Sequence, residues 1–228
     1  MRILVVAATE AELAPLISTY GFSIFESPEY PDLTIFRSGG RFPAVEILIT
    51  GVGMVATAYA LGRHPVGNSY DLVVNLGIAG SFDRSIPLGE IVEVQEDTLA
   101  ELGAEDGDAF QAIEQLGFGG SVFNPSKTLA DLYNLFNNFN LRKVNAITVN
   151  TVHGNETSIA ATMKRLNPQI ESMEGAAFFY ACKQVSLPCI QIRAVSNYVE
   201  KRNRDNWEIG LAIKNLNNFA AEFLKLYA

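Results

Sequence analysis

Apolar residues fall along this chain in short runs, and stretches of helical period separate them. The runs cover residues 3–8, 45–50, 72–76, 91–94, 146–149 and 189–195 and are rich in Val and Ile. Runs of four to eight residues without polar alternation predict strands buried on both faces. Between them, helical patterns cover 10–20, 54–63, 128–137, 158–165, 174–184 and 205–226; Leu129, Leu132, Leu135 and Phe136 share one face of the third. Strands alternating with helices predict an α/β fold around a mostly parallel sheet. No Pro/Ser-rich linker or internal repeat interrupts the pattern, so residues 1–228 read as a single domain.

Composition narrows the function classes. The chain has 228 residues, 48% hydrophobic and 18% charged. That suffices for a substantial core and excludes a disordered chain. A net charge of -8 excludes a binder of phosphate backbones, so no nucleic-acid partner is expected. The densest basic stretch, Lys201-Arg202-Asn203-Arg204, is flanked by Glu200 and Asp205. It reads as a solvated loop, or more sharply as a grip on an anionic ligand group. Cys182 and Cys189 lie in apolar segments and read as reduced core thiols. The apolar start is short and interrupted at Thr9-Glu10, so it reads as a buried strand, neither signal segment nor membrane span. The protein is expected in the cytoplasm.

Two Gly-rich stretches, Thr50-Gly51-Val52-Gly53 and Asn75-Leu76-Gly77-Ile78-Ala79-Gly80-Ser81, read as turns at strand ends. Neither has the dinucleotide or P-loop pattern. They offer backbone N–H groups at the carboxyl ends of strands, where open α/β sheets bind ligands, although tight strand–helix turns explain them equally well. Two histidines without metal-ligand spacing, and no GxSxG elbow, leave no metal or cofactor expected. Carboxylates and amides remain. Glu12 completes a capping box with Thr9, or serves as a general base at the sheet's binding edge. Glu174 favours a helix dipole, or accepts the hydroxyls of a ribose diol. Asn197 ends a strand as a turn residue. Arg193, inside an apolar strand, requires a carboxylate or a polar cavity.

The Glu12 element, residues 50–57 and 75–81, Ser172-Met173-Glu174-Gly175-Ala176 and Arg193-Ala194-Val195-Ser196-Asn197 together resemble the nucleoside phosphorylase and methylthioadenosine/S-adenosylhomocysteine nucleosidase superfamily. Val55-Ala56-Thr57-Ala58-Tyr59, Leu102-Gly103-Ala104-Glu105-Asp106 and Ser196-Asn197-Tyr198-Val199-Glu200 are similar to one branch, the futalosine hydrolases of menaquinone biosynthesis. The resemblance implies a three-layer α/β/α sandwich with a central mixed, mostly parallel sheet. It implies a homo-oligomer, a dimer or larger, with a purine nucleoside site near the subunit interface and no cofactor. By matching position, Glu12 would activate water and Arg193 would fix the local charge. Glu174 would bind the ribose hydroxyls, with Met173 packed on the sugar. Asn197 would address the purine, beside Ser196, Ile78, Ala79 and Gly80. Adenine-cleaving relatives carry a hydroxyl residue where Ile78 stands. Val152 or His153 would replace the aromatic base wall of relatives.

Two choices follow from chemistry. Phosphorolysis needs cations or N–H nests around a dianion, whereas the Thr9-Glu10-Ala11-Glu12 loop holds two carboxylates and no Arg, which favours water. Hypoxanthine presents acceptors at N7 and O6, which suits the N–H donors of Asn197; adenine-cleaving relatives carry Asp there. The expected reaction is hydrolysis of a 6-oxopurine nucleoside, futalosine giving hypoxanthine and dehypoxanthinyl futalosine. Arg41, Arg202 and Arg204 are candidates for the carboxylate on futalosine's 5′ substituent. The acidic segment 96–108 reads as an exposed loop, or as lining for that substituent. The alternatives are a methylthioadenosine/S-adenosylhomocysteine nucleosidase, a purine nucleoside phosphorylase and a non-catalytic nucleoside-binding protein.

Overall fold

Strand β1 (Ile3–Ala7) is buried along its whole length, and its alternation is between two apolar cores. Ile3, Val5 and Ala7 pack with Leu13, Leu16 and Ile17 of α1 (Glu10–Tyr20) and with Leu216, Phe219 and Phe223 of α5 (Ile209–Tyr227). Leu4 and Val6 face Ala60 and Leu61 of α2 (Met54–Arg63) and Phe178 and Phe179 of α4 (Gly175–Gln184). This double burial is why the strand lacks polar alternation, and it places a helical layer on each side of the sheet. The computed structural model describes residues 1–64, 70–107, 109–125 and 139–228. The helix expected at 128–137 lies outside these residues. Among the described residues no helix is long and apolar enough to cross a membrane.

The other elements are β2 (Phe22–Ile24), β3 (Thr34–Ser38), β4 (Val45–Ile49), β5 (Leu72–Ser81), β6 (Ile91–Leu99), β7 (Gly103–Asp106), β8 (Ala109–Ala112), β9 (Val122–Phe123), β10 (Arg142–Thr148), α3 (Glu156–Leu166), β11 (Ile170–Ser172) and β12 (Cys189–Tyr198). The main sheet runs β2-β3-β4-β1-β5-β12-β6-β10-β11, with β9 on β6. Its centre, β4-β1-β5-β12, is parallel, whereas β12 and β6 are antiparallel, so the sheet is mixed. The far edge curls back: β11 pairs antiparallel with the end of β5, setting Glu171 opposite Gly80.

Three sequence expectations change here. The stretch 75–81 is the second half of β5, where its glycines suggest a turn. One of them has a steric reason, since a Cβ on Gly77 would lie 2.0 Å from Arg193 Nη1. The acidic segment 96–108 does not form one exposed loop. Its start belongs to β6, with Asp97 fully buried, and Gly103–Asp106 pairs with Ala109–Ala112 as a hairpin. The last helix begins at Ile209, because Arg204–Asn206 forms a separate 3₁₀ turn capped by the Asn203 side chain.

Helix α1 carries Pro15, which lacks an N–H and crowds the preceding turn. Asn217 of α5 fills the resulting gap: its Oδ1 accepts from Leu16 N at 2.9 Å and its Nδ2 donates to the Glu12 carbonyl at 2.8 Å. The backbone beneath Glu12 therefore depends on a residue 205 positions away. Asn217→Ala leaves both groups buried without that partner. We expect it to lower stability by about 2 kcal/mol, read as a lower urea midpoint at unchanged m-value.

Candidate active site

The carboxyl ends of β1, β5 and β12 open onto a cavity of about 430 Å³. Its walls include Glu12, Ile78, Ala79, Gly80, Val152, His153, Met173, Glu174, Ser196 and Asn197. All the residues expected in the site therefore share one cavity except Arg193, which lies beneath it. The topology explains this convergence: β1, β5 and β12 are parallel neighbours, and β11 returns to the end of β5.

Glu12 stands three residues beyond Thr9, and its two oxygens do different things. Oε2 accepts from Thr9 N at 2.9 Å and from Thr9 Oγ1 at 3.0 Å, which completes the capping interaction. Oε1 accepts from Ile78 N at 3.1 Å, on β5. Cap and cavity wall are thus one geometry. The contact comes from the Ile78 backbone N–H, since this side chain has no hydroxyl to offer.

Beside Glu12 lies Arg193, 1% exposed, with its guanidinium above Gly77. Nε donates to Gln191 Oε1 at 2.8 Å and Nη2 donates to Asn75 Oδ1. The cation that demanded a carboxylate or polar cavity has two neutral amides as its hydrogen-bond partners.

Glu174 precedes α4 and is 7% exposed. Its Oε1 accepts from Gly53 N at 3.0 Å and its Oε2 from Met173 N at 3.3 Å. Gly53 has φ 97°, a left-handed conformation that aims its N–H at the carboxylate and favours glycine there.

At the other end, β12 carries a bulge: Val195 pairs with Ala79 and Asn197 with Gly80, so Ser196 is the extra residue. Bulges re-aim side chains. Ser196 Oγ lies 2.8 Å from Asn197 Oδ1 as donor, and Asn197 Nδ2 donates to Tyr198 O at 3.1 Å. A carbonyl can only accept, so Nδ2 is the amide nitrogen and one N–H remains for a ligand.

The base-wall segment is held from behind. His153 N donates to Glu171 Oε1 at 3.0 Å, His153 Nδ1 sits 2.5 Å from Glu171 Oε2, and His153 Nε2 sits 2.8 Å from Thr162 Oγ1. Burial pushes the Glu171 carboxyl up, against the opposing pull of His153. Both ring nitrogens of His153 are therefore engaged within the protein. Trp207 supplies an aromatic wall that no sequence pattern marks. The Arg202 guanidinium sits 5.0 Å from its ring centre and also lines the cavity. Of the other two candidate cations, Arg41 lies over Tyr20 and Arg204 packs on Trp207 without lining the cavity. No residue of the 96–108 segment lines it among the described residues.

Sequence reasoning missed Asn75, Asp97, Thr148, Glu171, Gln191 and Trp207. For Gln191 a signal was present, a polar residue two positions before Arg193 on the same face of an apolar run. Nothing local marks the others, because their partners are distant in sequence.

The profile of the Phosphorylase superfamily matches residues 2–227. The futalosine hydrolase of Streptomyces coelicolor is 34% identical over 193 residues, 82% of this chain and 80% of that protein. Among solved structures, futalosine hydrolase of Helicobacter pylori strain 26695 superposes with a TM-score of 0.81, covering 98% of this chain and 97% of that one at 14% identity. At that identity the likeness speaks for the fold. A methylthioadenosine/S-adenosylhomocysteine nucleosidase from Colwellia psychrerythraea 34H, in complex with adenine, has a TM-score of 0.79 at 26% identity, covering 99% and 95% of the two chains.

Proposed function

From a chain that belongs to the phosphorylase superfamily, and within it to the futalosine hydrolase family, we propose hydrolysis of the N-glycosidic bond of a 6-oxopurine nucleoside, futalosine, as in menaquinone biosynthesis. The observation that carries this reading is one cavity that gathers Glu12, Glu174 and Asn197 in its walls. Its only lining Lys or Arg, among the described residues, is Arg202. A phosphate dianion beside Glu12 would meet a carboxylate; a water there meets a proton acceptor.

In the mechanism we propose, the C1′–N9 bond breaks first. The sugar becomes oxocarbenium-like while Glu174 accepts hydrogen bonds from the ribose hydroxyls and Met173 packs on the ring. The free N–H of Asn197 strengthens as negative charge grows on the departing purine. Water then adds at C1′ and gives its proton to Glu12, whose orientation the Thr9 and Ile78 donors fix. The departing purine anion takes a proton from solvent water to become hypoxanthine, Glu12 returns its proton to solvent, and the sugar keeps the new hydroxyl. Ile78, Ala79, Gly80, Ser196, Val152 and His153 line the purine, and Arg202 meets the carboxylate of the 5′ substituent.

Three further parts belong to the proposal. The profile match over nearly the whole chain supports reading 1–228 as one nucleosidase domain. Val52 is 56% exposed yet lines the cavity, and Val55 one turn on is 79% exposed, which supports a homo-oligomer covering this rim. A monomer in sedimentation would remove that part. Both cysteines are free and buried, which fits the cytoplasm, where we place the enzyme.

Incubating the protein with futalosine, inosine and methylthioadenosine, with and without phosphate, tests the assignment. We expect hypoxanthine from futalosine at a rate independent of phosphate. Adenine release from methylthioadenosine in preference would favour the methylthioadenosine/S-adenosylhomocysteine nucleosidase reading. Ribose 1-phosphate would indicate a phosphorylase, and binding without release a nucleoside-binding protein.

A further inference from the structure

A row of buried polar side chains crosses the sheet beneath the cavity. Asp97, Thr148 and Gln191 are 0% exposed, and Asn75 and Arg193 are 1% exposed. Donor directions along the row are fixed by chemistry. Arg193 only donates, so Gln191 presents Oε1 to Arg193 Nε and turns Nε2 away. Gln191 Nε2 then donates to Asp97 Oδ2 at 2.9 Å. From the other side, Ala176 N donates to Thr148 Oγ1 at 2.7 Å, and Thr148 Oγ1 donates to Asp97 Oδ1 at 2.8 Å. Every donor between Arg193 and α4 points at Asp97. Asn75 closes the row at the opposite end, passing from Arg193 to the Val6 carbonyl at 3.1 Å.

We propose that Asp97 is a second counter-anion of Arg193, beyond Glu12, acting through Gln191, and that this relay is a positioning device holding Glu12 and Glu174 in register. The proposal deepens the hydrolase reading and rests on the roles given there to Glu12, Glu174 and Arg193. One end of the relay sits above Gly77 beside Glu12; the other ends on Ala176, two residues beyond Glu174. A buried guanidinium hydrogen-bonded to neutral amides is costly, and a carboxylate one amide away, on the side opposite Gly77 and Glu12, helps offset that cost. Burial pushes the Asp97 carboxyl up to about 6 while Gln191 and Thr148 pull it down. Its two accepted hydrogen bonds suit the ionised form. Gly175 completes the argument, since a Cβ there would lie 2.1 Å from Asp97 Oδ2 and 2.2 Å from Gln191 Oε1. Only glycine lets α4 start this close to the relay.

Replacing Asp97 with Asn puts an NH₂ group against a donor. Facing Gln191, it forces that amide to flip and point N–H at Arg193 Nε; facing Thr148, it turns that hydroxyl into an acceptor and leaves the hydroxyl proton without its carboxylate. Adding Gln191→Glu repairs the row, because the new carboxylate accepts both from Arg193 and from the amide introduced at position 97, while Thr148 donates to that amide's oxygen. We expect D97N to lower kcat on futalosine at least tenfold with KM within threefold, and D97N/Q191E to recover most of that loss. Gly175→Ala, which deletes no polar group but pushes Asp97 and Gln191 aside, is expected to behave like D97N and serves if D97N does not fold. Wild-type kcat in D97N or in Gly175→Ala, or no recovery in the double variant, overturns the proposal. Absence of turnover in the wild type is the failure of the hydrolase reading alone. The relay is then read from melting temperature: lower in D97N and recovered in D97N/Q191E, with no recovery overturning it.

Discussion

Glu12→Gln is expected to lower kcat by about a thousandfold, within the range general bases contribute, with the secondary structure intact. The substitution keeps the side chain's size and removes its proton affinity. It also tests the competing role of the same residue. The site presents three donors to the carboxylate: Thr9 N, Thr9 Oγ1 and Ile78 N. An amide has one acceptor oxygen, so whichever way it turns, its NH₂ faces an N–H. With the oxygen toward Ile78, the helix cap is lost, at about 1 kcal/mol; with the oxygen toward Thr9, the Ile78 contact is lost. A residue that only caps α1 would show the stability loss with near-normal turnover. The proposed base shows both. Hypoxanthine release under saturating substrate, set beside the urea midpoint of the same preparation, separates them. Turnover within tenfold of the wild type would leave Glu12 as a cap.

What the sequence made legible follows from how local each signal is. The helices Glu10–Tyr20 and Met54–Arg63 begin and end where the pattern puts them, because period and end signals lie within one segment: Gly21 at φ 67° stops the first. Each of the central strands β1, β4, β5, β6, β10 and β12 contains or overlaps an apolar run, since burial on both faces writes itself as continuous Val and Ile, while β6 extends to Leu99 and β10 starts at Arg142, beyond their runs. Strands β5 and β12 run on to ten residues because their second halves carry the site. Glycines and polar residues there look like turn chemistry, although Gly77 is required by Arg193 and the Ser196 bulge by the aim of Asn197. The two-to-five-residue strands at the edge, β2, β3, β9 and β11, are too short for any period to show.

The site divides in the same way. Glu12 and Glu174 follow strands and Asn197 is the penultimate residue of β12, all at positions a motif can mark. Their supports come from across the fold: Asn217 from 205 residues away, Gly53 from 121, and Asp97 reaching Gln191 over 94. No window along the chain holds such a pair. Arg193 was visible as an anomaly, a charge in an apolar run, yet its hydrogen bonds go to Gln191 and Asn75, and Gln191 in turn reaches Asp97, partners that no local pattern pairs with it.

Asn197→Asp is expected to move base preference toward adenine, shifting the ratio of kcat/KM for 6-oxopurine and adenine nucleosides by a hundredfold or more, on the order of 3 kcal/mol. The wild-type amide has a set orientation, with Oδ1 taken by Ser196 and one N–H by the Tyr198 carbonyl. Its remaining N–H suits an acceptor, and a 6-oxopurine offers acceptors at both N7 and O6. Adenine also offers N7, but at its 6-position a donor replaces the acceptor and would face that N–H. A carboxylate in this place sets oxygen against the Tyr198 carbonyl and against O6, so the original substrate loses its donor and gains a repulsion. Once protonated, the acid gives its proton to N7 or to Tyr198 and keeps an oxygen for the 6-amino group. The adenine activity of the variant should therefore rise as pH falls, while its 6-oxopurine activity stays low throughout. Parallel kcat/KM measurements on futalosine and methylthioadenosine from pH 5 to 8, a range set by the ordinary carboxyl and imidazole titrations, would show both trends. An unchanged preference would remove Asn197 from base reading and transfer that role to the Val152–His153 wall.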